Sequence, residues 1–432
     1  MIKSTSGSFR LSRLLVLPAL TIACWFSNPV HAASFSGTVI NEASGAPIGG
    51  AIVTLDKEQA VSDASGHVAL SAAATILRIR AVGYRRAELD LAKSINTQQI
   101  KLTPLSPKAL YLSIYGIGAA SLREPALQVI ETAGLNAVVI DMKGDSGLIP
   151  YPSEVALASG NSALRIRTVG NLGELVASLK NRGLYTIARI VVFKDNLLAA
   201  AHPAWAVHQG DGTLWKDPEG QSWIDPFRTD AWNYSIGIAA EAAASGFDEI
   251  QFDYVRFPDA TGLRFAEAST QASRTAAIKG FLHAAKLRLQ PYNVFLAVDV
   301  FGYTCWNRND TNIGQRLEDM APEVDYISPM LYPSGFQFGI PGYRNPMLSP
   351  HEIVYNSLQA ARQRTMGYTV RFRPWLQAFK DYAFDQRRFG EVEIRAQVSA
   401  AEEAGADGWM LWNPRNVYST EGLLRMQTDV RD

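Results

Sequence analysis

The chain has 432 residues, with 41 Lys+Arg balanced by 41 Asp+Glu. This leaves no net charge to draw it to nucleic acid or to an anionic membrane surface. That length exceeds one typical domain and accommodates a barrel of roughly 250 to 320 residues plus a small module. Lys3, Arg10 and Arg13 precede an apolar run over residues 14–26 and then Val30-His31-Ala32-Ala33, the pattern of a secretory signal peptide over residues 1–33. The run falls short of the about 20 residues that span a bilayer, so the expectation is export to the periplasm or the exterior and no transmembrane span. Thr21-Ile22-Ala23-Cys24 matches a lipoprotein box less well, which makes anchoring through Cys24 the lesser alternative. Cleavage leaves Cys305 alone, so no intrachain disulfide is expected.

Residues 34–103 read as short alternating strands at 35–40, 51–55, 66–71, 76–81 and 98–102, separated by turn residues. This is the pattern of a small all-β sandwich. Gly-Thr-Val-Ile-Asn at 37–41, Gly-Ala-Pro-Ile-Gly-Gly-Ala-Ile-Val at 45–53, Ser-Asp-Ala-Ser-Gly at 62–66 and Val-Gly-Tyr at 82–84 resemble carboxypeptidase regulatory-like domains with a transthyretin-type fold. The resemblance implies a structural or adhesive module without catalysis. Thr-Pro-Leu-Ser-Pro at 103–107 reads as an extended linker, because its two prolines fix φ and bias the preceding residues away from helix. The boundary is placed at 104–108.

Over 109–432 the strand-then-helix pattern repeats, with strands predicted at 110–117, 137–143, 185–192, 249–257, 294–303, 325–332, 371–378 and 408–413. Helical spacing is clear at 231–245 and 394–404. Eight such units close a (β/α)₈ barrel, whose chemistry sits at the C-terminal ends of its strands.

Strand alternation puts Gln251, Asp253 and Val255 on one face and Ile250, Phe252 and Tyr254 on the other. The apolar set must face the helices, so Asp253 points inward, where a carboxylate is costly unless paired or used. The same parity places Asp299 inside the neighbouring strand. Two inward carboxyls on adjacent strand ends are the minimum for glycoside hydrolysis: one protonates the leaving oxygen while the other attacks the anomeric carbon or activates water. The bland alternatives are a rim salt bridge between Asp253 and Arg256, and Asp299 capping the turn before Gly302. Asp141 and Lys143 share a face of the second strand, and Arg189 lies in the third. Tyr332 ends the sixth, and Gln377, Trp412 and Asn413 end the seventh and eighth. With Arg256 they form the candidate sugar-holding set. No metal-ligand spacing, nucleophile elbow or phosphate loop is present, so no metal or cofactor is expected. The tryptophan-bearing loop 204–225 is either a lid or substrate wall, or a surface loop packed on its own rings.

Tyr-Leu-Ser-Ile-Tyr-Gly at 111–116, Val-Val-Ile-Asp-Met-Lys-Gly-Asp at 138–145, Glu-Ile-Gln-Phe-Asp-Tyr-Val-Arg-Phe-Pro at 249–258, Asp-Val-Phe-Gly at 299–302, Tyr-Ile-Ser-Pro-Met-Leu-Tyr-Pro at 326–333 and Trp-Met-Leu-Trp-Asn-Pro at 409–414 resemble a bacterial glycoside hydrolase-like family of secreted barrels. That family is largely of unknown function and distantly similar to α-amylase-type barrels. The resemblance implies a hydrolase of an extracellular or envelope polysaccharide, with Asp253 in the place of the amylase-type nucleophile. Where those relatives carry a Glu acid after the fifth strand, this chain departs by carrying Asp299. The rival expectation is a non-catalytic polysaccharide-binding or scaffold protein with a degenerate site. Sugar, linkage and oligomeric state are not legible.

Overall fold

The computed structural model describes residues 33–72, 74–93 and 99–424. The signal-peptide segment before Ala33 and the Cys24 anchor site lie outside the described residues.

The first seven strands form two small sheets. In one, β1 (Ala33–Asn41) pairs antiparallel with β4 (His67–Ala72) and parallel with β7 (Gln99–Leu102). In the other, β2 (Ile52–Leu55), β3 (Glu58–Val61), β5 (Ile76–Arg80) and β6 (Ala87–Asp90) pair antiparallel in the order β3-β2-β5-β6. Val39, Leu70 and Ile100 from the first sheet meet Val53, Leu55, Leu77 and Ile79 from the second in one apolar cluster. The sequence reading missed β3 and β6, which carry few apolar residues to betray a period. The turn at Asp63 is built by its Oδ1, which accepts from the backbone N–H of Ser65 (2.8 Å) and of His67 (3.0 Å). Gly66 completes it at φ +78°, where a Cβ would lie 2.4 Å from the Val39 carbonyl oxygen, so only glycine fits.

Eight parallel strand positions then close on themselves: β8 (Lys108–Leu112), β9 (Ala137–Lys143), β10 (Tyr185–Val191), β11 (Glu249–Asp253), β12 (Phe295–Phe301), β13 (Tyr326–Met330), a seventh position split into β14 (Arg371–Phe372) and β15 (Trp375–Gln377), and β16 (Trp409–Trp412), which pairs back to β8. Pro374, with no N–H to give to the ladder, lies in the split. The strands are near-continuous apolar runs because both faces are covered. In β9, Val138, Ile140 and Met142 join the helix-side cluster while Ala137 and Val139 join the interior one. Major outer helices span Ala120–Thr132, Leu172–Asn181, Thr229–Ala244, Gln271–Leu289, Pro350–Arg364 and Glu391–Glu403.

Two predicted strands end early. The 110–117 segment becomes helix α1 (Ile114–Gly118) where the Ser113 side chain accepts from Gly116 N–H. The 249–257 segment stops at Asp253 because Tyr254 adopts φ +51°.

The β module sits against the N-terminal end of the barrel. Arg80 pairs with Asp325 at 2.5 Å, just before β13. Arg86 donates to the carbonyls of Phe247 (2.8 Å) and Tyr292 (3.1 Å), and Asn293 returns donors to the carbonyls of Ile52 (3.2 Å) and Arg78 (2.7 Å). Leu105 of the connecting segment and Val82 pack into the barrel's interior cluster. At this end of the interior Glu249 and Arg373, both fully buried, form an ion pair at 2.8 Å, with the Tyr185 hydroxyl donating to Glu249. The opposite end is therefore the open one.

Candidate active site

At the C-terminal end of the strands, one cation organises the carboxylates. Arg189 on β10 is 1% exposed and donates from Nε (2.9 Å) and Nη2 (2.5 Å) to Oδ2 of Asp253, from Nη1 to Asp141 (2.7 Å), and from Nη2 to Asp145 (3.4 Å). Its placement follows from register: Arg189 lies opposite Asp141 on β9 and Gln251 on β11. Its guanidinium also lies 4.8 Å from the Trp412 ring centre and 5.6 Å from that of Tyr111, and those two rings stack at 3.8 Å.

Asp253 is fixed through both oxygens. Oδ2 is held by Arg189, and Oδ1 accepts from the N–H of Tyr254 at 2.6 Å. That second bond depends on the left-handed backbone of Tyr254, a conformation that costs a bulky residue of order 1 kcal/mol or more. Trp223 edge-on at 5.5 Å, with the cations of Lys194 (5.0 Å) and Arg256 (5.3 Å) against the Tyr254 ring, hold it there.

Asp299 on β12 lies within the barrel. Its Oδ1 accepts from Gln251 (2.5 Å) and from the Trp375 indole (2.8 Å). Its Oδ2 has no hydrogen-bond partner and sits 3.9 Å from Arg189 Nε. Burial, and then the charge of Asp253, push the Asp299 carboxyl well above the usual carboxylate range against the pull of Arg189. Of the two carboxyls, Asp299 is thus the one whose neutral form is favoured, beside an ion-paired Asp253. Because one nitrogen lies so close to both, an oxygen of Asp253 and one of Asp299 are at most about 7 Å apart. That limit leaves the close spacing of retaining pairs and only the short edge of the inverting range.

Asp141 accepts from the Tyr111 hydroxyl at 2.5 Å as well as from Arg189. Burial pushes its carboxyl up to about 6, Arg189 opposing and Asp145 adding to the rise. Asp141 and Asp145 line a cavity of about 270 Å³ with Tyr111, Tyr115, Glu219 and Gln221. Glu219 and Gln221 come from the 204–225 loop, which therefore supplies a wall of this cavity. Trp223 of the same loop is packed inside at 2% exposure. Tyr332, partly exposed, has its phenol pushed well up by burial and then by the charges of Asp299 and Asp253.

Of the residues singled out in the sequence, Asp253, Asp299, Asp141, Arg189, Tyr332 and Trp412 come together here. Four do not have free side chains to offer. Lys143 is fully buried on the helix side, paired with Asp195 at 2.6 Å and 5.2 Å from the Tyr234 ring. Arg256 makes no ion pair with Asp253; it stacks on Trp223 at 4.7 Å and donates to the Phe257 carbonyl. Gln377 binds Ser334 through both ends of its amide, and Asn413 donates to the carbonyls of Ala378 and Val417. These two amides shape loops. Nor does Asp299 cap a turn. Tyr111 and Gln251 are partners that sequence reasoning did not assign, although the parity that found Asp253 also points both inward; Trp375, a strand-end ring beside Gln377 that would suit a sugar subsite, is instead fully buried and gives its indole N–H to Asp299.

A family profile described as "Putative glycosyl hydrolase domain" matches residues 109–418. Among solved structures, a hypothetical protein from Ruminiclostridium thermocellum is 32% identical over 44% of this chain and 97% of its own, with a TM-score of 0.40. The glycoside hydrolase domain of PgaB (BpsB) from Bordetella bronchiseptica is 15% identical over 72% of this chain and 95% of its own, at a TM-score of 0.53, a likeness of fold. The catalytic domain of a β-amylase from Paenibacillus polymyxa is 11% identical over 73% of this chain and 94% of its own, at 0.47. No curated protein matches the chain.

Proposed function

The chain belongs to the putative glycosyl hydrolase domain family, and from that premise we propose that it is an exported hydrolase of glycosidic bonds in an extracellular or cell-envelope polysaccharide, with Asp253 and Asp299 as its working pair. The observation that carries this is the split environment of the two carboxyls: Asp253 ion-paired with Arg189, and Asp299 buried, shifted toward its neutral form and with a free oxygen. Asp299 delivers its proton to the leaving glycosidic oxygen as the C–O bond breaks. Asp253 attacks the anomeric carbon, and water then displaces it with Asp299 acting as base; the carboxyl spacing of at most about 7 Å accommodates this double displacement. Trp412, stacked on Tyr111, and Tyr332 flank the sugar. Export is supported by the N-terminal sequence pattern, and among the described residues no helix is long and apolar enough to cross a membrane.

A second assignment of the acid has its own support. Asp141 lines the open cavity, and its carboxyl at about 6 suits a proton donor near neutrality, whereas Asp299 is 1% exposed.

The test is reducing-end release from a panel of bacterial exopolysaccharides and cell-wall glycans by the purified protein and by Asp253→Asn, Asp299→Asn and Asp141→Asn. Loss in the first two with partial retention in the third supports the pair. Full activity in both Asp253→Asn and Asp299→Asn removes it, and loss in Asp253→Asn and Asp141→Asn alone moves the acid to Asp141.

A further inference from the structure

Exposed aromatic rings gather on three successive loops at the open end of the barrel. Phe338 is 89% exposed, Tyr382 63%, and Phe301 and Phe384 39% each. They follow β12, β13 and β15, the strands on the Asp299 side of the mouth. Rings this exposed are costly to leave in water unless something covers them.

The rings connect inward to the site. Tyr332, beside the two carboxyls, meets Phe379 edge-on at 5.3 Å, and Phe379 lies parallel to Tyr382 at 6.2 Å and 10°. On the other branch, Phe301 ends the strand that carries Asp299 and meets Tyr303 at 5.7 Å, which meets Phe338 at 6.4 Å.

The display is rigid. The Tyr303 hydroxyl accepts from the Phe338 N–H (2.9 Å) and donates to the Gly339 carbonyl (3.1 Å). The loop bearing Tyr382 is wound around Asp381, which accepts from Ser334 Oγ (2.6 Å) and from the N–H groups of Phe384, Asp385 and Gln386. Rings pinned in place lose little freedom on binding. The segment 333–343 around Phe338 carries no charged residue, and in the Tyr382 loop Lys380, Arg387 and Arg388 are accompanied by Asp381 and Asp385, with Arg387 paired to Asp385, so the two loops together present no strong charge of one sign.

We propose that these loops form an extended subsite for a neutral polysaccharide strand leading out from the carboxyl pair, with Phe338 and Tyr382 stacking on sugar rings. The proposal takes its inner end from the hydrolase assignment above, while the binding it claims is independent of turnover. Stacking on the flat apolar face of a pyranose matches the surface on offer, and continuity with the site selects the substrate chain over an unrelated partner.

The test is affinity electrophoresis of the full chain in gels containing a soluble β-glucan, glycol chitin or a galactomannan, with alginate as the polyanion. It is run beside reducing-end release on the same polymers and light scattering of the protein. Phe338→Ala/Tyr382→Ala should keep its melting temperature, since both rings are exposed, and should lose roughly tenfold in affinity for the retarding neutral polymer. Asp253→Asn should be retarded like the parent. Absence of retardation in all three neutral polymers overturns the proposal. So does equal retardation of the double variant, retardation in alginate alone, or a dimer that the double variant turns into monomer, which would make the ridge a contact between copies. Neutral-polymer retardation without hydrolysis would remove the hydrolase assignment and leave the subsite standing. Hydrolysis lost in Asp253→Asn with no retardation of the parent would do the reverse.

Discussion

Arg189 directs two of its N–H groups, Nε at 2.9 Å and Nη2 at 2.5 Å, to a single oxygen of Asp253 while its third nitrogen holds Asp141 at 2.7 Å. Removing that cation leaves several buried carboxylates facing one another without a counter-charge. Arg189→Met should therefore lower stability by about 3 to 5 kcal/mol in chemical denaturation, the usual cost of breaking a buried pair from one side. Arg189→Lys keeps the charge but not the fork, and should fold while losing at least about tenfold in activity.

Burial and the charge of Asp253 favour the neutral form of the Asp299 carboxyl, so an amide of the same shape should fit its place. Asp299→Asn retains the acceptor for Gln251 and Trp375, and its melting temperature at pH 7 should equal or exceed that of the parent. Its activity should fall by about 10² or more, the usual share of a general acid. Loss of fold together with activity would mean that the carboxyl is structural.

The Asp141 carboxyl is raised in the folded protein to about 6 from 3.8. A raised carboxyl contributes stability that is fully present below its unfolded value and is lost as pH climbs through the folded one. Between pH 4 and 7 the parent should therefore lose about 2 kcal/mol through this group that Asp141→Asn does not lose. Denaturant titrations of both proteins at pH 4, 5, 6 and 7 measure the difference, and a gap that does not change with pH would contradict it.

Arg86 is partly buried at the seam between the β module and the barrel, where its two carbonyl acceptors lie 2.8 and 3.1 Å away. Arg86→Ala strands both carbonyls and should cost about 1 to 3 kcal/mol while leaving kcat unchanged, because the seam is at the far end from the carboxyls. A fall in kcat at constant stability would show that the two ends communicate.

Parity in the strands was enough to turn Asp253 and Asp299 into the barrel, because in a sheet covered on both faces the apolar residues must take the helix side; it set Asp141 and Lys143 on one face of the second strand and gave Arg189 only its strand. Parity says nothing about which cation meets which carboxylate. Arg256 follows Asp253 closely in sequence yet lies beyond a left-handed residue that turns the chain away, whereas Arg189 arrives from the next strand by register. Lys143 escaped for a related reason: the pairing of β9 with β10 shifts by one residue past Asp141, carrying Lys143 to the helix side and to Asp195. The 371–378 segment reads as one strand, and the split at Pro374 emerges only in the structure; the weak strands β3 and β6 had no apolar period to reveal them.

The seam at the closed end is fastened largely through main-chain oxygen. Arg85 reaches the Gly183 carbonyl, Arg86 those of Phe247 and Tyr292, and Asn293 those of Ile52 and Arg78. A carbonyl is presented by any residue, so the acceptor side can drift in sequence without loosening the joint. Apart from the Arg80–Asp325 ion pair, its identity resides in three donor side chains, and a β module transplanted onto another barrel would need that one acid and the same strand-start geometry far more than the same amino acids.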